Sequence, residues 1–337
     1  MRRRAVLKGL LAAATSATMF RKRAIATAQL CSQCFSAVNV MDFGAVGDGH
    51  ADDLPYFQAA HDFLGVGGGI LTGPARTYYL SSTFSITNPV TIDFFNAYNT
   101  YLRAVPGHQP PPPPSQGAIL YSDFNGPILS YAAPTTTRFV GLKNLSIVGG
   151  CASPTGQAIQ ACTAAVASQD GIVVNNMGVR ISNVGIFGVG RYGLHIIQSV
   201  ASIYENMYIQ QCGYAGVLVS GTNGGHCGAN TWRNIIVQSN GNSGFNVDSA
   251  DGADTVVGLV CGQNAMYEIV VRNAVGWEFV GTHTEGSASR VVYFGSESNN
   301  NRIDFTAMST SENQYTNCGG SGNVLLGNQN GVNNGCS

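Results

Sequence analysis

The sequence predicts an all-β chain wound as a parallel β-helix, a single-stranded solenoid, with one short α-helix near its start. Three observations carry this. The stretch 183–272 nearly repeats itself: Asn183–Ile186 with Gly193–Ile196, Asn206–Ile209 with Gly216–Val219, and Asn234–Val237 with Gly244–Val247 superpose at intervals of 23 and 28 residues. A looser copy, Gly258–Val260 with Tyr267–Ile269, places Tyr267 at the position of Gly244, after a further 23. Short alternating apolar strands broken by Gly and Asn at this period describe stacked coils of about three strands each. Composition agrees: charged residues are only 10% and hydrophobic residues 44%, with 43 glycines to supply turns of positive φ.

Taken in order, residues 1–28 form a twin-arginine-type export signal. Arg2–Arg4 and Lys8 precede the apolar run Gly9–Phe20, and a small-residue site, Ala26–Ala28, follows. The run is too short to span a membrane comfortably. The chain is therefore expected in the periplasm or outside the cell. The signal holds seven of the 17 Lys and Arg and none of the 18 Asp and Glu, so the remainder is acidic, at net −8. Such a balance argues against nucleic acid or an anionic membrane as partner. Nine cysteines suit export. Cys151 with Cys162, and Cys318 with Cys336, are expected bridges, and Cys31 with Cys34 is read as structural.

Residues 29–80 form the N-terminal cap and first strands. Val38–Met41 leads into a Gly/Asp turn, and Asp52 or Asp53 caps a helix through Phe63 with Pro55 in its first turn. The run Asp42-Phe-Gly-Ala-Val-Gly-Asp-Gly-His-Ala-Asp-Asp53, then Gln58–Ala60, Gly67–Gly69, Pro74 and Tyr78, resembles the N-terminal signature of the pectate-lyase-like superfamily. The resemblance is to its branch of polygalacturonases, pectate-lyase-3 proteins and phage tailspikes. Ala75-Arg76 stands where that signature has glycine. The resemblance implies a right-handed β-helix whose first coil is closed by the helix, with Asp48, Asp52 and Asp53 as structural carboxylates. It also implies action on, or binding of, a polysaccharide, by a monomer or a homotrimer.

Residues 81–317 form the β-helix proper. It begins with irregular strands and a polyproline loop, His108–Pro114, and regular stacking starts at Leu142–Ile147. Residues 318–337 are a Gly/Asn-rich tail. Asn144, Asn183, Asn206 and Asn234 fall at one repeat position, where this superfamily stacks an asparagine ladder. Alternation along the following strands puts His195, Leu218, Asn246, Glu268 and Val292 in one outward column and Ile197, Ser220, Asp248, Val270 and Phe294 in another. By resemblance this sheet borders the substrate groove. On the preceding strands Glu205 and Arg233 are expected as a cross-coil ion pair.

Two chemistries are read from the groove. Asp248 and Glu268, with Asp251 beside them, suit an acid–base pair for inverting glycoside hydrolysis, which takes two carboxylates with a water between them. The polygalacturonases' catalytic motifs are absent, so their site does not transfer. Alternatively His195 serves as base for β-elimination on a uronate polymer, with arginines stabilising the enolate. Asn246, Arg191, Tyr192, His226 and Arg272 are the expected substrate contacts. Asp248, Asp251 and Asp254 form a weaker calcium candidate, and no other cofactor is expected. A non-catalytic glycan-binding or structural β-helix is the competing class.

Overall fold

The computed structural model describes residues 37–94, 117–132, 140–151, 166–175, 178–221, 227–250, 252–285, 290–308, 315–317 and 320–327. The expected export signal and polyproline loop, and Cys31, Cys34, Cys162, Cys318, Cys336, His226 and Asp251, lie outside these residues.

The described strand pairings are parallel, as stacking successive coils demands. Long strands such as Val140–Val148 and Val179–Phe187 each cover two faces of the coil, since they bend midway. The first half of Val140–Val148 pairs with Val90–Asp93 and the second half with Ile119–Tyr121. The third face is a separate sheet that stacks, among others, Ile172–Asn175, Tyr192–Val200, Ala215–Ser220, Ser243–Asp248, Tyr267–Arg272 and Arg290–Phe294 in chain order. Stacking begins before Leu142, because Phe84–Ile86 and Leu129–Tyr131 already belong to this sheet. It also continues into the tail, where Val324–Gly327 pairs with Arg302–Phe305.

The bend is made by asparagine. Asn144, Asn183, Asn206 and Asn234 have φ of 59°, 55°, 53° and 52°, a left-handed corner that Asn tolerates better than most residues. Each amide donates to the one before it: Asn183 to Asn144 at 3.0 Å, Asn206 to Asn183 at 3.2 Å, Asn234 to Asn206 at 3.1 Å. Asn144 donates in turn to Asp93 at 2.8 Å. Gly258 and Gly281 take over the corner in later coils, at φ of 70° and 67°. Inside, Val, Ile and Leu columns alternate with aromatic residues, including Tyr204 stacked on Trp232 at 4.2 Å.

The helix Leu54–Leu64 buries Phe57, Ala60 and Leu64 against the first coils, with Phe57 edge-on to Phe84. Asp53 precedes the helix but makes no side-chain cap; its buried carboxylate instead accepts from the Val46 and Gly47 amides. Asp52 binds the Leu54 amide and Ser81. Asp48 accepts from His50 and Ala51. The expected Glu205–Arg233 pair does not form: Glu205 takes Arg180 at 3.1 Å, from the preceding coil.

The register of the third face departs from expectation after Asp248. Phe245, Asn246 and Val247 pair with Ile269, Val270 and Val271, so Tyr267 aligns with Ser243 and Asp248 with Arg272. The outward column is therefore Val173, His195, Leu218, Asn246, Val270, Tyr293. Glu268 falls in line with Gly171, Gly193, Gly216 and Gly244. A Cβ at Gly216 would meet Val237 Cγ1 at 2.1 Å, and one at Gly244 would meet Cys261 Sγ at 3.2 Å. This column points into the coil, and Glu268 points with it.

Candidate functional site

The outer face of the third sheet gathers the polar groups, but not in the expected combination. Tyr192 precedes the corner glycine Gly193; Leu194 turns inward and His195 outward. Asp170 holds the equivalent place one coil earlier, before Gly171. Ser220 ends the strand of the next coil.

Asp170 is wholly buried and accepts from both edges of the Arg191 guanidinium, Nε at 2.8 Å and Nη2 at 2.6 Å, and from the Tyr192 amide at 3.3 Å. Burial alone would raise its pKa, but the hydrogen bonds from Arg191 and His195 outweigh that and hold the carboxyl below its usual value. The His195 ring lies between two partners: Nδ1 is 3.2 Å from Asp170 Oδ2 and Nε2 is 3.0 Å from Ser220 Oγ. An ionised carboxylate can only accept, so Nδ1 carries the proton and Nε2 presents its lone pair to the Ser220 hydroxyl. Ser220 is 7% exposed and has a second acceptor, the Ile196 carbonyl, at 3.4 Å. Tyr192 packs beside the imidazole with ring centroids 5.0 Å apart, beneath the Arg191 guanidinium, and meets the exposed Tyr214 edge-on. A hydroxyl, an imidazole and a buried carboxylate in this sequence of hydrogen bonds are the parts of an activated serine.

The other expected site residues are distributed as follows. Asp248 lies on this face in line with Ser220, and pairs with Arg272 at 3.5 Å. Asn246 is two coils from His195, buried, with Oδ1 unpaired; Arg272 Nε is also buried without a partner. Glu268 is not in the groove. It is fully buried inside the coil, bonded by the Asn264 amide, and burial pushes its pKa up to about 7. The inverting pair Asp248–Glu268 is thereby withdrawn, because its two members point to opposite sides of the sheet. The calcium set is divided too: Asp254 is buried and accepts from the Asn230 amide, Asn230 Nδ2 and Trp232 Nε1, each at 2.9 Å. Among the described residues no group of three His, Cys, Asp or Glu could hold a metal ion.

Sequence reasoning missed Asp170. It directly follows an excursion that breaks the repeat, yet Asp170-Gly171 before an apolar strand is in phase with Tyr192-Gly193. That phase was the available signal.

No protein-family profile matches the chain, and no curated protein matches it in sequence. Solved structures do match in shape. The A-module of the Azotobacter vinelandii mannuronan C-5 epimerase AlgE4 superposes with a TM-score of 0.52 at 16% identity, over 87% of this chain and 96% of that one. The Agl-KA catalytic domain gives 0.62 at 16% identity, over 82% of this chain and 49% of that one. The phiAB6 tailspike, solved with oligosaccharides of Acinetobacter baumannii surface polysaccharide, gives 0.55 at 14%, over 88% and 49%. The chain thus spans about half the length of the latter two. Identities this low speak for fold alone, and with the coil architecture and the asparagine corner they show the chain to be a parallel β-helix.

Proposed function

We propose that this protein is a polysaccharide-active enzyme that removes acyl ester groups from a glycan. Ser220 is the nucleophile, His195 the general acid and base, and Asp170 the group that orients it. The carrying observation is the continuous path from Asp170 Oδ2 through the His195 ring to Ser220 Oγ on the outer face. Polysaccharide as substrate is supported by the matched β-helices, one named for mannuronan and another solved with a surface oligosaccharide. Export through residues 1–28 would put the enzyme where such glycans are met.

In this reading Ser220 Oγ attacks the ester carbonyl carbon while its proton passes to His195 Nε2. The carbonyl carbon's bond to the sugar oxygen then breaks, and His195 returns the proton to that oxygen, releasing the glycan hydroxyl. Water attacks the acyl-serine, His195 takes its proton, and the proton returns to Ser220 as the carboxylic acid leaves. Asp170 stays ionised throughout and stabilises the imidazolium.

A second reading, β-elimination with His195 as base, has one observation in its favour. The Ile196 carbonyl gives the Ser220 hydroxyl another acceptor, which frees Nε2. One experiment separates them. Acetate release from a panel of acetylated polysaccharides, and fluorophosphonate labelling, are measured on parent, Ser220→Ala and His195→Asn. Loss of about 10³-fold or more in both variants, with label on Ser220, supports the esterase. Unchanged acetate release by Ser220→Ala removes it; new unsaturated uronate ends made by Ser220→Ala but not by His195→Asn establish the lyase.

A further inference from the structure

The same sheet carries a second cluster farther along the solenoid, which the reaction at Ser220 does not use. Tyr267 aligns with Tyr192 through Ala215 and Ser243, three coils away, or about 14 Å at the spacing of neighbouring strands. Tyr293 continues the outward column of His195, four coils on. The two tyrosine rings lie 5.5 Å apart, and both are half-buried on the outer face, while Ile269, Val292 and Phe294 beside them point inward. Arg290 follows Tyr267 in its column, is exposed, and donates from Nη1 to the Tyr267 hydroxyl at 3.3 Å.

Arg290 differs from the other arginines of this face. Arg191 is bound on both edges by Asp170, and Arg272 is paired with Asp248. Among the described residues Arg290 has no carboxylate partner; its hydrogen bond is to a neutral phenol. A guanidinium held in place with its charge unmatched is a receptor for an anion, and carboxylates fit its fork in bidentate geometry. Beside it, two tyrosine rings tilted 51° to each other offer apolar faces against which a pyranose can pack. We infer that Tyr267, Tyr293 and Arg290 form a subsite for a negatively charged sugar of the glycan, a few units from the one that reacts at Ser220. The inference rests on reading this face as the glycan face, and it fixes the direction of the bound chain: along the solenoid axis, from the relay toward the later coils. It also names the substrate class as an acidic polysaccharide, which the protein binds despite its own negative balance by isolating one cation where the polymer's charge must sit.

The test is calorimetric binding of uronate oligosaccharides (galacturonate, mannuronate and glucuronate series) and of neutral oligosaccharides of equal length. Parent, Arg290→Gln, Tyr267→Phe and Tyr293→Ala are compared, with turnover of p-nitrophenyl acetate measured alongside. Arg290→Gln should weaken uronate binding about tenfold and leave neutral binding unchanged. Tyr267→Phe, which removes only the hydroxyl that holds Arg290, should weaken uronate binding by a smaller factor. Tyr293→Ala should weaken every oligosaccharide that binds. Turnover of the small ester should stay at the parent level in all three. Parent-level uronate affinity in Arg290→Gln, or no uronate binding by the parent, overturns the inference. If the small ester is not turned over but uronate binding responds as described, the subsite stands and the esterase reading falls.

Discussion

Replacing Glu268 by Gln should flatten the alkaline side of this protein's stability profile. Glu268 occupies a column otherwise held by glycine at Gly171, Gly193, Gly216 and Gly244, so its side chain is enclosed by the coil, with Asn264 donating to it and Oε1 left unpaired. Burial raises its pKa from 4.5 to about 7. The folded chain therefore prefers the protonated acid. That preference is fully present below about pH 4.5 and is lost as pH rises through 7, where a charge must be carried inside the coil. At 1.36 kcal/mol per unit the difference amounts to about 3 kcal/mol. Gln leaves an extra amide donor inside the coil, a cost independent of pH, so the slope rather than the offset is diagnostic. Urea unfolding from pH 4.5 to 8.5 should show the parent losing about 3 kcal/mol relative to Glu268→Gln, with the curves parallel above pH 8. Curves parallel across the whole range would refute a buried, titrating Glu268.

Asp170→Asn exchanges the charge that holds His195 for an amide able to donate to Nδ1. Ester turnover should fall by about 10⁴-fold with oligosaccharide affinity little changed, measured by steady-state kinetics beside calorimetry. The fold keeps the Asp170 carboxyl below its ordinary value, so the stability it contributes is present above about pH 3.8 and fades as pH falls through the folded value. Acid unfolding of the Asn variant should lack that limb. At the corner, Asn206→Ala removes amide bonds to both neighbours and puts a β-carbon at φ 53°; a loss of about 2 kcal/mol is expected by denaturant titration. Asn206→Gly should lose less, since Gly258 and Gly281 hold the same corner unaided.

Winding, asparagine corner and N-terminal helix were legible because each is written locally: Asn before a strand, Gly before the next, and the Asp/Gly run before the helix. His195 was placed correctly for the same reason, as Gly193, Gly216 and Gly244 fix the phase of three successive strands. Phase is lost in the coil of Tyr267, where Glu268 takes the place that glycine holds in the coils before it. With no small residue to mark the corner, alternation counted from Tyr267 puts the core carboxyl of Glu268 on the outer face. Alternation also fails at the corner itself, since the glycine position and the residue after it both face inward. The partner of His195 was hidden differently: Asp170 opens its coil immediately after a long insertion, so its equivalence to Tyr192 rests on one following glycine. Glu205 choosing Arg180 over Arg233 depends on side-chain reach, which repeat position does not encode.

Because Ser220 and the Tyr267–Tyr293–Arg290 cluster are borne on different turns of one spring, the solenoid acts as a ruler. A whole turn removed between them, such as the one carrying Ser243–Asp248, would draw the two centres together by about 4.8 Å. An added turn would part them by the same step. Selectivity for where along a polymer the charge sits, relative to the ester, could thus be reset by copying or deleting a single repeat, with no change in the chemistry at either end.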